Sequence, residues 1–262
     1  MKLKKNLFLL LTAIAFVSCD DNKLDNNRIN SFPMTIGSTW TYDRAIISNY
    51  YKSLTSDSIV NSDTLVIEGT TWIEKDTIIN KSRVMVFKTK EVQFFQTVTS
   101  ADYQSIDKDG LKLFAYTYGG DMSNISSKKA LINTTFQLLS NGKMNSQSQI
   151  NSGVYIYSKP ILTIKYPLTT TSEWTSIYPL KIDKKVIGAD TLHINGHEYI
   201  CFKVLWEFPE GNSIKVTEWI AKEGILKRET NLGTMYTIDE HGDSLDKFES
   251  IERVTIKSVS IK

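Results

Sequence analysis

The histidines and cysteines are the residues of this 262-residue chain with the readiest metal or nucleophile chemistry, and there are three of the first and two of the second. His193 and His197 sit in "HINGH", a spacing that invites a metal reading. If Asn195-Gly196 is a two-residue hairpin turn, however, Ile194 faces His197 and His193 faces Glu198, so the two imidazoles leave opposite sides of the sheet. No metal site is expected there. Cys201 lies four residues from His197, roughly 13 Å along an extended strand, too far for a local thiolate-imidazole pair. Between Ile200 and Phe202 it reads as a small core residue. "SIDKDGLKLFAY" has alternating aspartates before a glycine, but EF-hand spacing would place Ser105 first and Tyr116 last, where carboxylates are required. An Asp-Gly hairpin turn accounts for it. Among 29 acidic residues, a glycosidase pair could be assembled from distant strands with no local signature. No catalytic residue is therefore assigned, these residues call for no cofactor, and a non-enzyme is the first expectation.

A different signal comes from aromatic residues. "FPMTIGSTWTY" (Phe32 to Tyr42) returns 134 positions later as "YPLTTTSEWTS" (Tyr166 to Ser176). Pro33 and Pro167 suit a strand start or an edge, and Trp40 and Trp174 then bring a large side chain onto a sheet face, with Tyr42 following Trp40 at period two. Two readings stand: core packing where two related units meet, or a cleft for sugar or lipid lined by Trp40, Tyr42 and Trp174.

Strand signals must position these residues. "DTLVIEGTTWIEKDTIINKSRVMVFKTKEVQFFQTV", "GVYIYSKPILTIKYPL", "HEYICFKVLWEF" and "ERVTIKSVSIK" are rich in β-branched and aromatic residues and alternate apolar with polar. Asp109-Gly110, Asn195-Gly196 and Glu223-Gly224 supply turns. The repeat extends further: "DTIINKSRVMVFK" from Asp76 matches "DTLHINGHEYICFK" from Asp190, and "IDKDGL" from Ile106 matches "IAKEGI" from Ile220. Three matches in one order point to a duplicated β unit, with pseudo-repeats at about 31–118 and 165–232. One segment, "SSKKALINTTFQLLSNG" (126–142), carries helical spacing closed by Asn141-Gly142, and one short helix is expected there.

The N-terminus addresses location. Lys2, Lys4 and Lys5 precede "LFLLLTAIAFV", an apolar run shorter than the about 20 residues a membrane-spanning helix needs, so residues 1–18 read as an export signal. "FVSC" (Phe16 to Cys19) resembles the lipobox of bacterial lipoproteins, in which the cysteine takes a diacylglycerol and an N-acyl chain after cleavage. Phe16 departs from the commoner leucine. Residues 19–30, "CDDNKLDNNRIN", form a polar tether. Acidic residues at this place resemble the surface-export signal of Bacteroidetes-type lipoproteins. Removing Lys2, Lys4 and Lys5 takes the 31 basic side chains to 28 against 29 acidic ones, and without a basic footprint nucleic acid is not an expected partner. With Cys19 consumed by lipid, Cys201 has no disulfide partner.

The lipobox, the opening "FPMTIGSTWTY" and the closing "EWIAKEGILKRET" (Glu218 to Thr230) together resemble uncharacterised β-rich lipoproteins of Bacteroidetes-type bacteria. The resemblance covers both ends of the mature domain and assigns no catalytic residue. The expected fold is mainly β: over residues 31–262, a curved antiparallel sheet or incomplete barrel like the lipoprotein-carrier folds, with a two-sheet β-sandwich as alternative. The expected role is an outer-membrane lipoprotein that binds an apolar or glycan ligand or an envelope partner protein. The alternative is an envelope glycoside hydrolase with dispersed carboxylates.

Overall fold

The computed structural model describes residues 28–93, 96–117, 149–151, 154–177, 181–209, 213–238 and 243–262. Thirteen strands occur among them: β1 (Thr39–Tyr51), β2 (Ile59–Ile79), β3 (Ser82–Gln93), β4 (Gln96–Asp107), β5 (Gly110–Thr117), β6 (Gln149–Asn151), β7 (Val154–Lys165), β8 (Glu173–Ile177), β9 (Lys181–Ile194), β10 (His197–Glu207), β11 (Lys215–Ala221), β12 (Gly224–Ile238) and β13 (Ser244–Ser260). They form one sheet in the order β6-β7-β5-β4-β3-β2-β1-β13-β12-β11-β10-β9-β8, and the paired strands are antiparallel. The expected curved antiparallel sheet is present as a nearly closed barrel with one unsealed seam, and the sandwich alternative is not adopted. No helix occurs among the described residues. The segment 126–142 expected to hold one lies outside them, as do the signal segment, Cys19 and the tether up to residue 27.

The sheet consists of two runs of similar order. β1 to β5 followed by β7 make one, β8 to β13 the other, and they join where β1 pairs with β13 from Thr39↔Ser260 to Tyr50↔Phe248. The repeated sequence segments occupy matching places in these runs. Asp76 and Asp190 lead into the β2–β3 and β9–β10 turns, while Ile106 and Ile220 lead into the β4–β5 and β11–β12 turns. Positive φ at Asn80 and Lys81, and again at Asn195 and Gly196, matches the backbone twist that two-residue hairpin loops require. The register His197↔Ile194 and Glu198↔His193 sends the two imidazoles to opposite faces, as the turn reading requires.

The segment just ahead of the first opening block meets the second copy. Ile29 and Leu168 exchange backbone hydrogen bonds of 3.0 and 2.8 Å, so the end of the expected tether is already pinned and Ile29 is buried. Each block also caps the acid-glycine turn of the opposite run. The Tyr166 amide donates to the Asp109 carbonyl at 3.2 Å, and the Trp40 indole Nε1 donates to the Glu223 carbonyl at 2.7 Å. A Cβ at Gly224 would lie 3.1 Å from the Phe32 ring, so glycine lets that turn sit flat against the aromatic cap. The buried core draws on both runs: Leu111, Leu113 and Ile164 pack with Trp174, Val204 and Val216, and Trp40, Ile73 and Phe87 with Leu226 and Ile256.

Candidate functional site: the barrel lumen

The lumen retains a cavity of about 300 Å³, the lower end of the roughly 300–1,000 Å³ range of small-molecule sites. One part of its wall is aromatic and apolar, with Phe32, Trp40, Phe87 and Ile256; another is polar, with Thr71, Thr89, Ser100 and Gln104. Two buried ionic groups line it as well.

The first is centred on Arg44, 4% exposed. Its Nη1 and Nη2 each lie 3.1 Å from a carboxylate, Glu91 and Glu252 respectively. The Tyr42 hydroxyl donates to the other Glu91 oxygen at 3.0 Å. Burial opposes charge on the guanidinium, but Glu252 and Glu91 outweigh it and raise its pKa further above the ordinary value. Burial and then Glu91 also push the Tyr42 phenol well up, so it acts as a neutral donor. Tyr42 stands opposite Gly69, which stands opposite Glu91, and residues directly opposite share a face. The tyrosine ring thus lies across β2 to reach β3. It can do so only because Gly69 has no side chain: a Cβ there would fall 2.2 Å from the Tyr42 Cζ. Gly69→Ala is expected to expel the ring, break its bond to Glu91 and cost about 1–3 kcal/mol, measurable as a lowered urea midpoint with loss of Tyr42 burial.

The second group is Lys184, Glu218, Arg228 and Trp206. Glu218, 1% exposed, accepts from Arg228 Nε at 2.8 Å and Nη2 at 2.5 Å, and from the Trp206 indole at 3.0 Å. Desolvation alone would raise its pKa, yet Arg228 and Lys184 bring it below the usual carboxylate value. Lys184 Nζ lies 3.7 Å from the Trp206 ring centre and donates to the Thr163 carbonyl at 3.0 Å. Desolvation depresses its pKa; Glu218 counters this and Arg228 adds to it, with the outcome at about 8. An amine that ordinarily titrates near 10.5 therefore binds its proton more weakly in the folded chain. Stability is reduced below pH 8 and recovers as pH rises through the window from about 8 to 10.5. The recovery is roughly 3 kcal/mol. Lys184→Met should abolish this pH-dependent gain and be more stable than wild type at pH 7. Urea melts of both proteins between pH 7 and 10 check it, and parallel pH profiles would contradict it.

The two groups occupy one row of the barrel. Glu218↔Arg228, Arg228↔Val254 and Val254↔Arg44 are directly opposed on β11, β12, β13 and β1. Each cation has a carboxylate nearby, so the site is polar without being an obvious ion trap. The unpartnered Nε of Arg44 is the exception and lacks a hydrogen-bond acceptor.

Of the three aromatic candidates, Trp40 and Tyr42 line the cavity and Trp174 is not among its lining residues. Trp174 is buried in β8 and donates its indole N–H to the Thr163 carbonyl of β7 at 3.3 Å. Cys201 is 1% exposed, and burial, aided by Asp190 and Glu223, lifts its thiol to about 12, in keeping with a core residue. Composition and turn signals did not reveal the lumenal charges, although a sequence signal for them existed. Arg44 stands in phase with Trp40, Tyr42 and Ile46, Lys184 with Ile182 and Val186, Glu218 with Val216 and Ile220, and Glu252 with Phe248, Val254 and Ile256. A charge flanked at period two by apolar residues points inward.

No family model matches the sequence, and no curated protein matches it. Among solved structures, the chain is similar to a protein of Parabacteroides distasonis described as a candidate lipoprotein. It is also similar to a protein of Bacteroides fragilis described as a candidate exported protein with a YmcC-like fold. Each is 9% identical, with a TM-score of 0.34 over 88% of this chain and 99% of the other. No residue role passes from either to this chain.

Proposed function

We propose that this chain is an envelope lipoprotein, anchored to the outer membrane through Cys19, whose barrel binds a small uncharged amphipathic ligand and does not transform it. The observation that carries this reading is the lumen: the side chains leave about 300 Å³ open, lined by aromatic side chains with hydroxyl-bearing ones directly beside them, as at Trp40 and Thr71. An apolar group fits against Phe32, Trp40 and Phe87, and the polar groups of the ligand meet Thr71, Thr89, Ser100 and Gln104. The lining carries Arg44, Lys184 and Arg228 against Glu91, Asp102, Glu218 and Glu252. That balance disfavours an anion such as a fatty acid and favours a glycan-like or alcohol head group. A short alkyl glycoside, titrated against the full chain, should change the emission of Trp40 and Trp206 and raise Tm; the matching fatty acid should do so less. Val254→Trp, which fills the cavity, should abolish the response. If wild-type fluorescence and Tm stay flat with both probes, the ligand reading fails and an envelope partner protein takes its place. Mass analysis of Cys19, with detergent partitioning of Cys19→Ser, tests the anchor.

The hydrolase alternative draws on one observation, that Glu91 and Glu252 flank one guanidinium inside the cavity. Two carboxylates so placed fall within reach of the about 5–9.5 Å glycosidase separation. Such a pair needs one carboxyl to hold a proton, and a cation shared by both works against that. Release of an aryl leaving group that vanishes in both Glu91→Gln and Glu252→Gln would favour this alternative.

A further inference from the structure

The two runs of the barrel supply an internal comparison. The last strand of the second run, β13, pairs with the first strand of the first run, β1, through a backbone ladder along Thr39 to Tyr50. The corresponding junction, between the last strand of the first run and the first strand of the second, is β7 with β8. There, among the described residues, the sheet order ends instead: β8 is an edge strand, and β7 carries only the three-residue β6 on its other side. Side chains bridge the gap. Trp174 Nε1 and Lys184 Nζ donate to the Thr163 carbonyl at 3.3 and 3.0 Å. Ser176 Oγ donates to the Leu162 carbonyl at 2.5 Å, and Lys165 Nζ to the Glu173 carbonyl at 3.1 Å. Thr163, Ile164 and Lys184 also line the cavity, so this junction is part of its wall.

Resting on the ligand reading above, we propose that the β7–β8 seam is the port through which the ligand reaches the lumen, opened by parting these side-chain bonds while every backbone ladder stays intact. A wall zipped by cooperative backbone pairing opens only with the unfolding of its strands, whereas a wall held by a few side-chain bonds can part locally. Opening also exposes Lys184, whose buried amine favours the hydrated state.

The test needs no ligand. In Leu162→Cys/Ser176→Cys, oxidation ties the seam shut and reduction frees it. Acetylation of Lys184 by acetic anhydride at pH 8, read by peptide mass, is expected to fall at least tenfold on oxidation, while exposed Lys222 reacts equally in both states. A lock across the laddered junction, Thr41→Cys/Ser258→Cys, should leave the Lys184 rate unchanged. Equal Lys184 rates in the oxidised and reduced seam variant, or no reaction in the reduced one, would overturn the proposal. Should that variant fail to fold, amide exchange of the wild-type chain decides: peptides from 157–165 and 173–177 should exchange at least tenfold faster than those from β1 and β13, and equal protection overturns the port. A seam that opens while neither probe binds would sink the ligand reading and leave the opening itself established.

Discussion

Arg44→Met is expected to destabilise the barrel by about 3–5 kcal/mol, the range seen when one partner of a buried ion pair is removed. The wild-type guanidinium is nearly inaccessible and shared by Glu91 and Glu252. Without it two carboxylates face one another in a lumen that hydrates them poorly, and one must take up a proton to relieve the repulsion. That gives the variant a distinctive pH dependence. A carboxyl whose folded pKa is raised contributes stability that is present below its unfolded pKa and lost as pH rises through the folded one, so Arg44→Met should be more stable near pH 5 than near pH 8. Adding Glu91→Gln and Glu252→Gln removes the stranded charges and should recover most of the loss. Urea melts of wild type, the single variant and the triple variant at both pH values provide the measurement. A single variant that melts like wild type at pH 8 would show that Arg44 is hydrated and that the lumen is not the closed ionic site described above.

Trp40→Ala should cost a similar amount, about 3–5 kcal/mol, as for other large aromatic truncations in cores. The indole packs against Phe32 and Phe87 with ring centres 5.9 and 6.1 Å away. It also ties the start of β1 to the Glu223 carbonyl in the other run. Trp40→Phe keeps much of the ring contact and loses the hydrogen bond, so it should cost only about 0.5–1.5 kcal/mol from that bond. The graded pair separates packing from bonding in thermal melts. Trp174→Ala removes the matching indole from the other run, and an unchanged Tm there would contradict its role in tying β8 to β7.

Much of this architecture was legible along the chain. Alternating Val, Ile, Thr and aromatic residues marked the strands, and Asn195-Gly196 set its hairpin so firmly that the facing pairs could be written down beforehand. These signals are local: a turn's φ values and a strand's two faces depend on neighbours a few residues away. The repeat was legible for a related reason, since two runs of similar sequence fold into similar local structures. The site was harder to read. Gly69 lies within the strand-like "TLVIEGTTWIE", where an interior glycine is compatible with a close approach, but nothing nearby said that Tyr42 would cross above it to Glu91, 49 residues from the tyrosine. In the same way, the inward phase of Arg44, Lys184, Glu218 and Glu252 was visible while their pairing was not.

The amino-acid sequence alone determined a β-rich chain, its hairpin turns and the doubled opening block. Only the tertiary structure decided that Ile29, ahead of the first block, bonds to Leu168 in the second, which charges neutralise which, and that, among the described residues, one of the two equivalent junctions closes by backbone pairing while the other does not. Strand and turn preferences act over a few residues, whereas charge pairing and sheet closure depend on distances between residues more than a hundred positions apart, such as Arg44 and Glu252, and these exist only once the sheet has curved round on itself.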